Sequence, residues 1–139
     1  MRQGHETFEH TADLGIRVWA GTLAGVFEEA AKALFGVIVD LRTVSPSKKI
    51  RVELARDSDE ALFLAWLKEL LFIFETEHLV FSGFRVLSLK SGALAAEAKG
   101  ELLDNAKHAL GREVKAITLH QFKLAWEKDR YLAEFIVDV

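Results

Sequence analysis

The sequence predicts an α+β domain in which two main helices pack on a mixed or antiparallel β-sheet of about six strands, in two layers. Two segments repeat apolar residues at helical spacing, and the other apolar segments alternate in the way that strands do. The expected order is strand, helix, strand, helix and then four strands. A chain of 139 residues fits one hydrophobic core, so we expect residues 1–139 to form a single domain.

The first strand and the first helix are predicted between residues 15 and 38. In GIRVWAG the apolar residues alternate with other residues up to Gly21, which indicates a strand. Thr22 then offers a side chain suited to cap a helix. The helix itself is predicted by apolar residues at helical spacing, namely Leu23, Phe27, Ala30, Leu34 and Ile38.

The second strand and the longest helix follow a loop, RTVSPSKK, that contains the single proline. The strand IRVELA alternates apolar and polar residues. Asp57, followed three residues later by Glu60, resembles a capping box and is expected to open a helix from about Ser58 to Thr76. That helix is apolar around most of its circumference, so we expect it to lie buried between a sheet and the first helix.

The second half of the chain is mostly strand. LVFSGFRVLSLK and ALAAEAKGELL are predicted to form a hairpin around the turn Ser91-Gly92. DNAKHALGRE is predicted to be a helical turn or loop. The segments VKAITLHQFKLAW and YLAEFIVDV are two further predicted strands, joined by the polar turn EKDR.

Composition and charge exclude several classes of function. The net charge is −3 and the 18 lysines and arginines are scattered along the sequence, so we expect no direct sequence-specific binding of nucleic acid. There are no cysteines, which excludes disulfides, thiolate zinc sites and cysteine nucleophiles and fits a cytoplasmic location.

The sequence predicts neither export nor attachment to a membrane. The first ten residues lack the apolar segment of a signal peptide. The longest apolar stretch, ALFLAWLKELLFIF, is shorter than a membrane span and carries Lys68 and Glu69 in its middle. We therefore interpret it as a core helix.

The main candidate site joins the two ends of the sequence. Asp13 lies near His10 in a polar break within FEHTADLGI, and Asp138 is the penultimate residue. Taken singly, Asp13 suits a turn and Asp138 a strand end that faces solvent. However, Asp138 and the α-carboxylate of Val139 would repel each other by about 3 kcal/mol at a separation of about 5 Å and an effective dielectric constant of about 20. A positive group is therefore expected nearby.

Two kinds of positive group could meet this need. If Asp13 joins the cluster, its oxygen-only donors suit a hard cation such as Ca²⁺, Mg²⁺ or Mn²⁺. A lysine or an arginine is the alternative. The spacing of the residues in the sequence does not decide between them, nor does it show that the two ends meet.

A metal-dependent hydrolase is an alternative from a different class. The sequence contains neither of the two glycine-rich phosphate-binding loops. It also lacks a nucleophile elbow and an H-E-x-x-H zinc helix. Glu101, Asp104 and His108 would align on a helix, and with His120 they could hold a catalytic metal. The glycines that bound this segment make it too short for a stable helix, which favours a solvated turn.

The strand that follows carries two more candidate residues. His120 is expected to share a strand face with Phe122, Leu124 and Trp126, as a half-buried and hydrogen-bonded histidine. Lys115 is expected on the opposite face, exposed to solvent.

Four segments, taken in order, resemble the archease family: HTADLGIRVWAGTLAGVFEEAAKALFGV, WLKELLFIFE, GELLDNAKHALGREVKAITLH and FIVDV. The resemblance runs from about Phe8 to Val139, and the first and last motifs are specific in combination. It implies a protein that is not an enzyme but activates an RtcB-type RNA ligase, the GTP-dependent ligase that joins tRNA halves in tRNA splicing and processing. Such an activator promotes guanylylation of the ligase and permits repeated turnover.

The resemblance also implies roles for individual residues. Asp13, Asp138 and Val139 would hold a divalent cation, with calcium expected and magnesium or manganese as alternatives. The lysine of the VKA motif falls on Lys115, which would contact the ligase or its nucleotide, and His120 is a second candidate for the same surface. A chaperone-like interaction module, which would protect unfolded clients from aggregation, is the remaining alternative.

Overall fold

The strands and helices of the described part of the chain follow the predicted order, with one more strand at its start. The computed structural model describes residues 3–10 and 13–139. Within them the elements are β1 (Gly4–His10), β2 (Asp13–Ala20), α1 (Leu23–Ile38), β3 (Lys48–Ala55), α2 (Asp59–Glu77), β4 (Leu79–Lys90), β5 (Ala93–Leu102), β6 (Ala116–Glu127) and β7 (Arg130–Asp138).

The strands form two sheets. One has four strands in the order β1-β2-β7-β6, and the other has three in the order β3-β5-β4. All of the pairings between these strands are antiparallel. The α+β class with two main helices is therefore confirmed, and the sheets are antiparallel rather than mixed.

Strand β1 has no counterpart among the predicted strands. Its sequence, GHETFEH, carries one large apolar residue, Phe8, so no alternation marks it as a strand. It pairs with β2 from Gly4 opposite Trp19 to His10 opposite Asp13. Because β2 begins at Asp13, this aspartate belongs to the strand and not to a polar break.

Both predicted hairpin turns are confirmed. Ser91 and Gly92, between β4 and β5, have φ angles of 54° and 74°. Lys128 and Asp129, between β6 and β7, have φ angles of 55° and 62°. Two central residues with positive φ match the right-handed twist of the flanking strands, which is why such turns join strands so closely.

The helices begin at capping side chains. The Thr22 Oγ1 accepts a hydrogen bond of 3.0 Å from the Gly25 N–H, as the sequence predicts. At the start of α2 the capping residue is Ser58, whose side chain accepts a bond of 3.1 Å from the Ala61 N–H. The expected capping box at Asp57 is therefore wrong, because the serine one position later takes that role.

The hydrophobic core lies between the helices and the inner faces of the sheets. Helix α1 packs on β2 and β4, one strand from each sheet, while α2 contacts α1, β6 and the three-stranded sheet. Trp66 of α2 is fully buried and donates its indole N–H to the Phe27 carbonyl of α1 over 2.9 Å. The rings of Phe27 and Phe63 meet edge to face at 5.3 Å, so the two helices are joined by packing as well as by this bond.

In the described ranges, neither helix is long and apolar enough to cross a membrane.

Candidate functional site

The two aspartates of the candidate site face each other across adjacent strands. Asp13 opens β2 and pairs directly with Asp138 at the end of β7. Residues opposite each other in an antiparallel pair hold their Cβ atoms roughly 4.5–5.5 Å apart on the same face of the sheet. The next pair along, Leu14 and Val137, is buried in the core, so the aspartates lie on the outer face. The two ends of the sequence thus meet at one end of the four-stranded sheet.

Lys115 and Val139 flank this aspartate pair. The Lys115 backbone N–H donates a hydrogen bond of 2.7 Å to the Asp138 carbonyl, immediately before β6 begins. The Lys115 residue is exposed, as expected. Val139 follows Asp138 and packs against the core. Lys115, Asp138 and Asp13 therefore belong to one small region of the surface.

In the described part of the chain, the charge of the aspartate pair is not balanced by a lysine or an arginine. Among the described residues, no lysine or arginine forms an ion pair with Asp13 or Asp138. Arg17, farther along the same face of β2, forms ion pairs with Glu6 and Glu134. Its hydrogen bonds to Glu6 and then to Glu134 raise the pKa of the Arg17 guanidinium above its ordinary value.

The donor atoms present suit a hard cation. Carboxylate oxygens are the ligands that Ca²⁺, Mg²⁺ and Mn²⁺ prefer, and two carboxylates on one face without a basic partner repel each other unless a cation lies between them. The described residues contain no group of three or more histidine, aspartate or glutamate side chains that could hold a metal. Of the described residues, the two aspartates and Val139 would be the ones to hold a cation at this place.

His120 lies in an irregular part of β6. The register with β7 jumps from Thr118 opposite Ile136 to Lys123 opposite Glu134, so five steps on β6 match two on β7. Gln121 in this bulge has a positive φ of 53°. His120 is exposed, and its backbone N–H donates to the Thr118 hydroxyl over 3.3 Å.

The expectation of a half-buried His120 is therefore wrong. Strict alternation along β6 would have placed it on one face with Phe122, Leu124 and Trp126. The extra residues of the bulge break that alternation, and bulges commonly re-aim a side chain in this way.

Glu101, Asp104 and His108 meet, but their polar atoms are already bonded to protein groups. His108 is buried, its Nε2 lies 2.8 Å from the Glu101 carboxylate, and its Nδ1 accepts a bond of 2.9 Å from the Asp104 N–H. With both ring nitrogens bonded, His108 has none left for a metal. This geometry does not favour the hydrolase, whose ligands would need an open position.

Glu101 is the centre of this network. Its carboxylate also accepts bonds from the Lys107 ammonium at 2.9 Å and from the Ser45 backbone N–H at 2.8 Å. These bonds lower the pKa of Glu101 from 4.5 to about 2. The bond from Lys107 is the main cause, followed by those from Ser45 and His108. Glu101 is therefore ionised at neutral pH and holds three parts of the chain together.

The network fixes the segment that leads to Lys115. After His108 this segment bridges Leu110 to Val39, and the Gly111 N–H donates to the Ile38 carbonyl over 2.8 Å. The chain then enters β6 beside Asp138. Sequence reasoning found Glu101 and His108 as candidate ligands, whereas their observed contacts give them a positioning role.

Comparison with known proteins gives a consistent result over the whole chain. The model of the Archease protein family (MTH1598/TM1083) matches residues 5–139. A protein archease of Pyrococcus furiosus is 41% identical over 143 residues, with 100% of both chains covered. A protein archease of Methanopyrus kandleri is 39% identical over 137 residues, which cover 96% of this chain and 98% of the relative.

Two solved structures share the fold. The solution structure of Methanobacterium thermoautotrophicum protein 1598 superimposes with a TM-score of 0.86 at 37% identity, covering 98% of this chain and 99% of that one. The crystal structure of a Thermotoga maritima protein, described as an archease and possible chaperone, gives a TM-score of 0.70 at 17% identity, covering 100% and 98%. The chain therefore belongs to the archease family.

Proposed function

We propose that this protein is a non-catalytic activator of an RtcB-type RNA ligase in tRNA splicing and RNA repair. It acts in the cytoplasm, where it promotes guanylylation of the ligase and permits repeated turnover. Membership of the archease family supports a role of this class. The observation that carries the proposal is the pairing of Asp13 with Asp138 beside Lys115, because it gathers three candidate residues at one place.

Asp13, Asp138 and Val139 hold a divalent cation in this proposal. Calcium suits them best, since it accepts oxygen ligands in irregular geometry, and magnesium or manganese are alternatives. The support is the unbalanced charge of two carboxylates that face each other on adjacent strands. When bound, the cation would supply positive charge at the end of the sheet.

Lys115 contacts the ligase or its nucleotide in this proposal, with His120 on the same surface. Both residues are exposed, and both lie at or near the start of β6. The ammonium group of an exposed lysine can neutralise phosphate oxygens. Transfer of a nucleotidyl group depends mainly on such positioning and electrostatic stabilisation.

A reconstituted ligase reaction tests the proposal. A purified RtcB-type ligase is given GTP and broken RNA under turnover conditions, with this protein, with its Asp13→Ala, Asp138→Ala and Lys115→Ala variants, or without it. We expect the unchanged protein to raise guanylylation and turnover, and each variant to lose most of that effect.

Two matched controls lie at the other end of the same sheet. Asp129→Asn and Lys128→Ala change the same kinds of side chain in the turn between β6 and β7. Both controls should stimulate the ligase as the unchanged protein does. Full stimulation by the Asp13 and Asp138 variants would refute the assigned site, and no stimulation by the unchanged protein would refute the function. Protection of unfolded clients without any effect on the ligase would instead favour the chaperone-like module.

A further inference from the structure

The outer face of the three-stranded sheet carries an unusual concentration of positive charge. Along β5 the residues alternate, with Leu94, Ala96 and Ala98 buried in the core and their neighbours turned outward. The outward positions of β3, β5 and β4 contribute five exposed cations: Lys49, Arg51, Arg85, Lys90 and Lys99. We name this surface the basic face.

Four of the five cations of the basic face lie in two adjacent rows of the sheet, and Lys90, opposite Ala93, lies two rows farther along. Lys49 is opposite Lys99, which is opposite Gly83. In the next row, Arg51 and Arg85 lie on either side of Glu97. Adjacent strands are about 4.8 Å apart and the rows on one face are about 7 Å apart. The cations of these two rows are therefore close enough to meet neighbouring phosphates of one strand, and Lys90, about 14 Å farther along, would meet a more distant phosphate of the same strand.

Negative groups on this face do not balance the positive ones. Glu53 pairs with Arg51 at 2.7 Å, and Glu97 pairs with Lys49 at 3.4 Å. Across the described residues, Arg85, Lys90 and Lys99 have no carboxylate partner. Five cations and two carboxylates give the basic face a net charge of +3 on a chain whose formal net charge is −3.

The basic face is also accessible. Small residues separate the charges, with Ala93 and Ala95 on β5 and Ser88 opposite Ala95 on β4. A hollow of about 220 Å³ lies beside Gly83 and is lined by Arg85 and Lys99. In the paired rows of the basic face, the outward positions carry no aromatic ring on which a base could stack.

We propose that the basic face binds the sugar-phosphate backbone of single-stranded RNA without reading its sequence. Ammonium and guanidinium groups neutralise phosphates and release counterions, which supplies affinity regardless of the bases. The choice of RNA among polyanions rests on the proposed function. The sequence does not reveal this surface, because its cations are spread from residue 49 to residue 99 and only the pairing of β3, β5 and β4 gathers them.

The test measures binding to a fluorescent single-stranded RNA by anisotropy, with the full chain, no ligase and a series of salt concentrations. For single strands the logarithm of the binding constant falls with the logarithm of salt by about 0.7 per neutralised phosphate. Three phosphates on Arg85, Lys90 and Lys99 would give a slope of about −2. The variant Arg85→Gln/Lys90→Gln/Lys99→Gln should flatten that slope and weaken binding at low salt at least tenfold.

A second triple variant provides a matched control. Lys32→Gln/Lys68→Gln/Lys123→Gln removes the same charge from α1, α2 and β6. It should bind RNA with an almost unchanged slope. An equal loss in both variants, no binding by the unchanged protein at low salt, or competition by polyglutamate as strong as by RNA would overturn the proposal.

The ligase assay separates this inference from the proposed function. Guanylylation is measured with the ligase and GTP in the absence of RNA, and under these conditions the basic-face variant should still stimulate it. Loss of RNA binding with normal stimulation of guanylylation would support the basic face as an RNA surface separate from the aspartate pair. Normal RNA binding by the basic-face variant would refute the inference and leave the proposed function untouched.

Discussion

Replacing Asp138 with asparagine should change the stability of the protein in opposite directions with and without calcium. Asparagine has nearly the same shape as aspartate but no charge, so the substitution removes the repulsion between Asp13 and Asp138. At about 5 Å that repulsion is about 3 kcal/mol for an effective dielectric constant of 20 and about 0.8 kcal/mol in bulk water.

Both aspartates are half-buried, so the repulsion should lie between these two values. We expect Asp138→Asn to raise the free energy of unfolding by about 1 kcal/mol in the presence of a chelator. For a chain of this length such a change corresponds to a rise in Tm of about 4 °C.

Calcium should reverse the order of the two proteins. A ligand at about 100 times its dissociation constant stabilises the folded state by about 2.7 kcal/mol, which exceeds the gain of about 1 kcal/mol expected for the variant. The unchanged protein should therefore melt above Asp138→Asn in calcium and below it in chelator.

Thermal unfolding followed by circular dichroism measures both conditions, and Asp129→Asn is the control that should show no such reversal. The reasoning would be refuted if Asp138→Asn were less stable than the unchanged protein in chelator and if calcium did not change the Tm of the unchanged protein.

Three further substitutions, one of them with a control, test the packing that supports the site. Glu101→Gln should speed hydrogen exchange in residues 103–115. Its cost in stability should be constant above about pH 5 and vanish towards pH 2, because the folded-state pKa of Glu101 is lowered to about 2 and its contribution is lost only on acidification. Urea unfolding at several pH values checks this. Trp66→Phe should cost about 2–4 kcal/mol by urea unfolding, since it removes the indole N–H that donates to the Phe27 carbonyl and leaves a void in the core. Gly100→Ala should cost more than about 3 kcal/mol in the free energy of unfolding, because the new Cβ would lie 1.8 Å from a backbone oxygen. Gly83→Ala is the control: its new Cβ would meet its nearest atom at 3.8 Å, so it should cost less than about 1 kcal/mol.

The helices and most of the strands follow from the sequence because their patterns are local. Apolar residues at helical spacing predict α1 and α2, and alternation predicts β2 and β3. Strand β1 lacks that signal. It is held in place by pairing with β2 rather than by a buried face of its own residues.

The candidate site depends on information that is not local. The pairing of Asp13 with Asp138 follows from the register of β2 and β7, which are separated by most of the chain. The bulge that exposes His120 depends on how β6 fits its neighbour β7. Electrostatic reasoning could identify the two aspartates as a group in need of positive charge, but only the sheet shows that they face each other, with no lysine or arginine partner among the described residues.

Multiple-turnover RNA ligation by an RtcB-type ligase is the most direct test of the site at the end of the four-stranded sheet. The measured quantity is the number of ligations per ligase molecule with the unchanged protein, with Asp138→Asn and with Asp129→Asn. We predict many turnovers with the unchanged protein and with Asp129→Asn, and close to the unstimulated number with Asp138→Asn. Equal turnover with all three proteins would contradict the assignment of Asp13, Asp138 and Lys115 to the activation of the ligase.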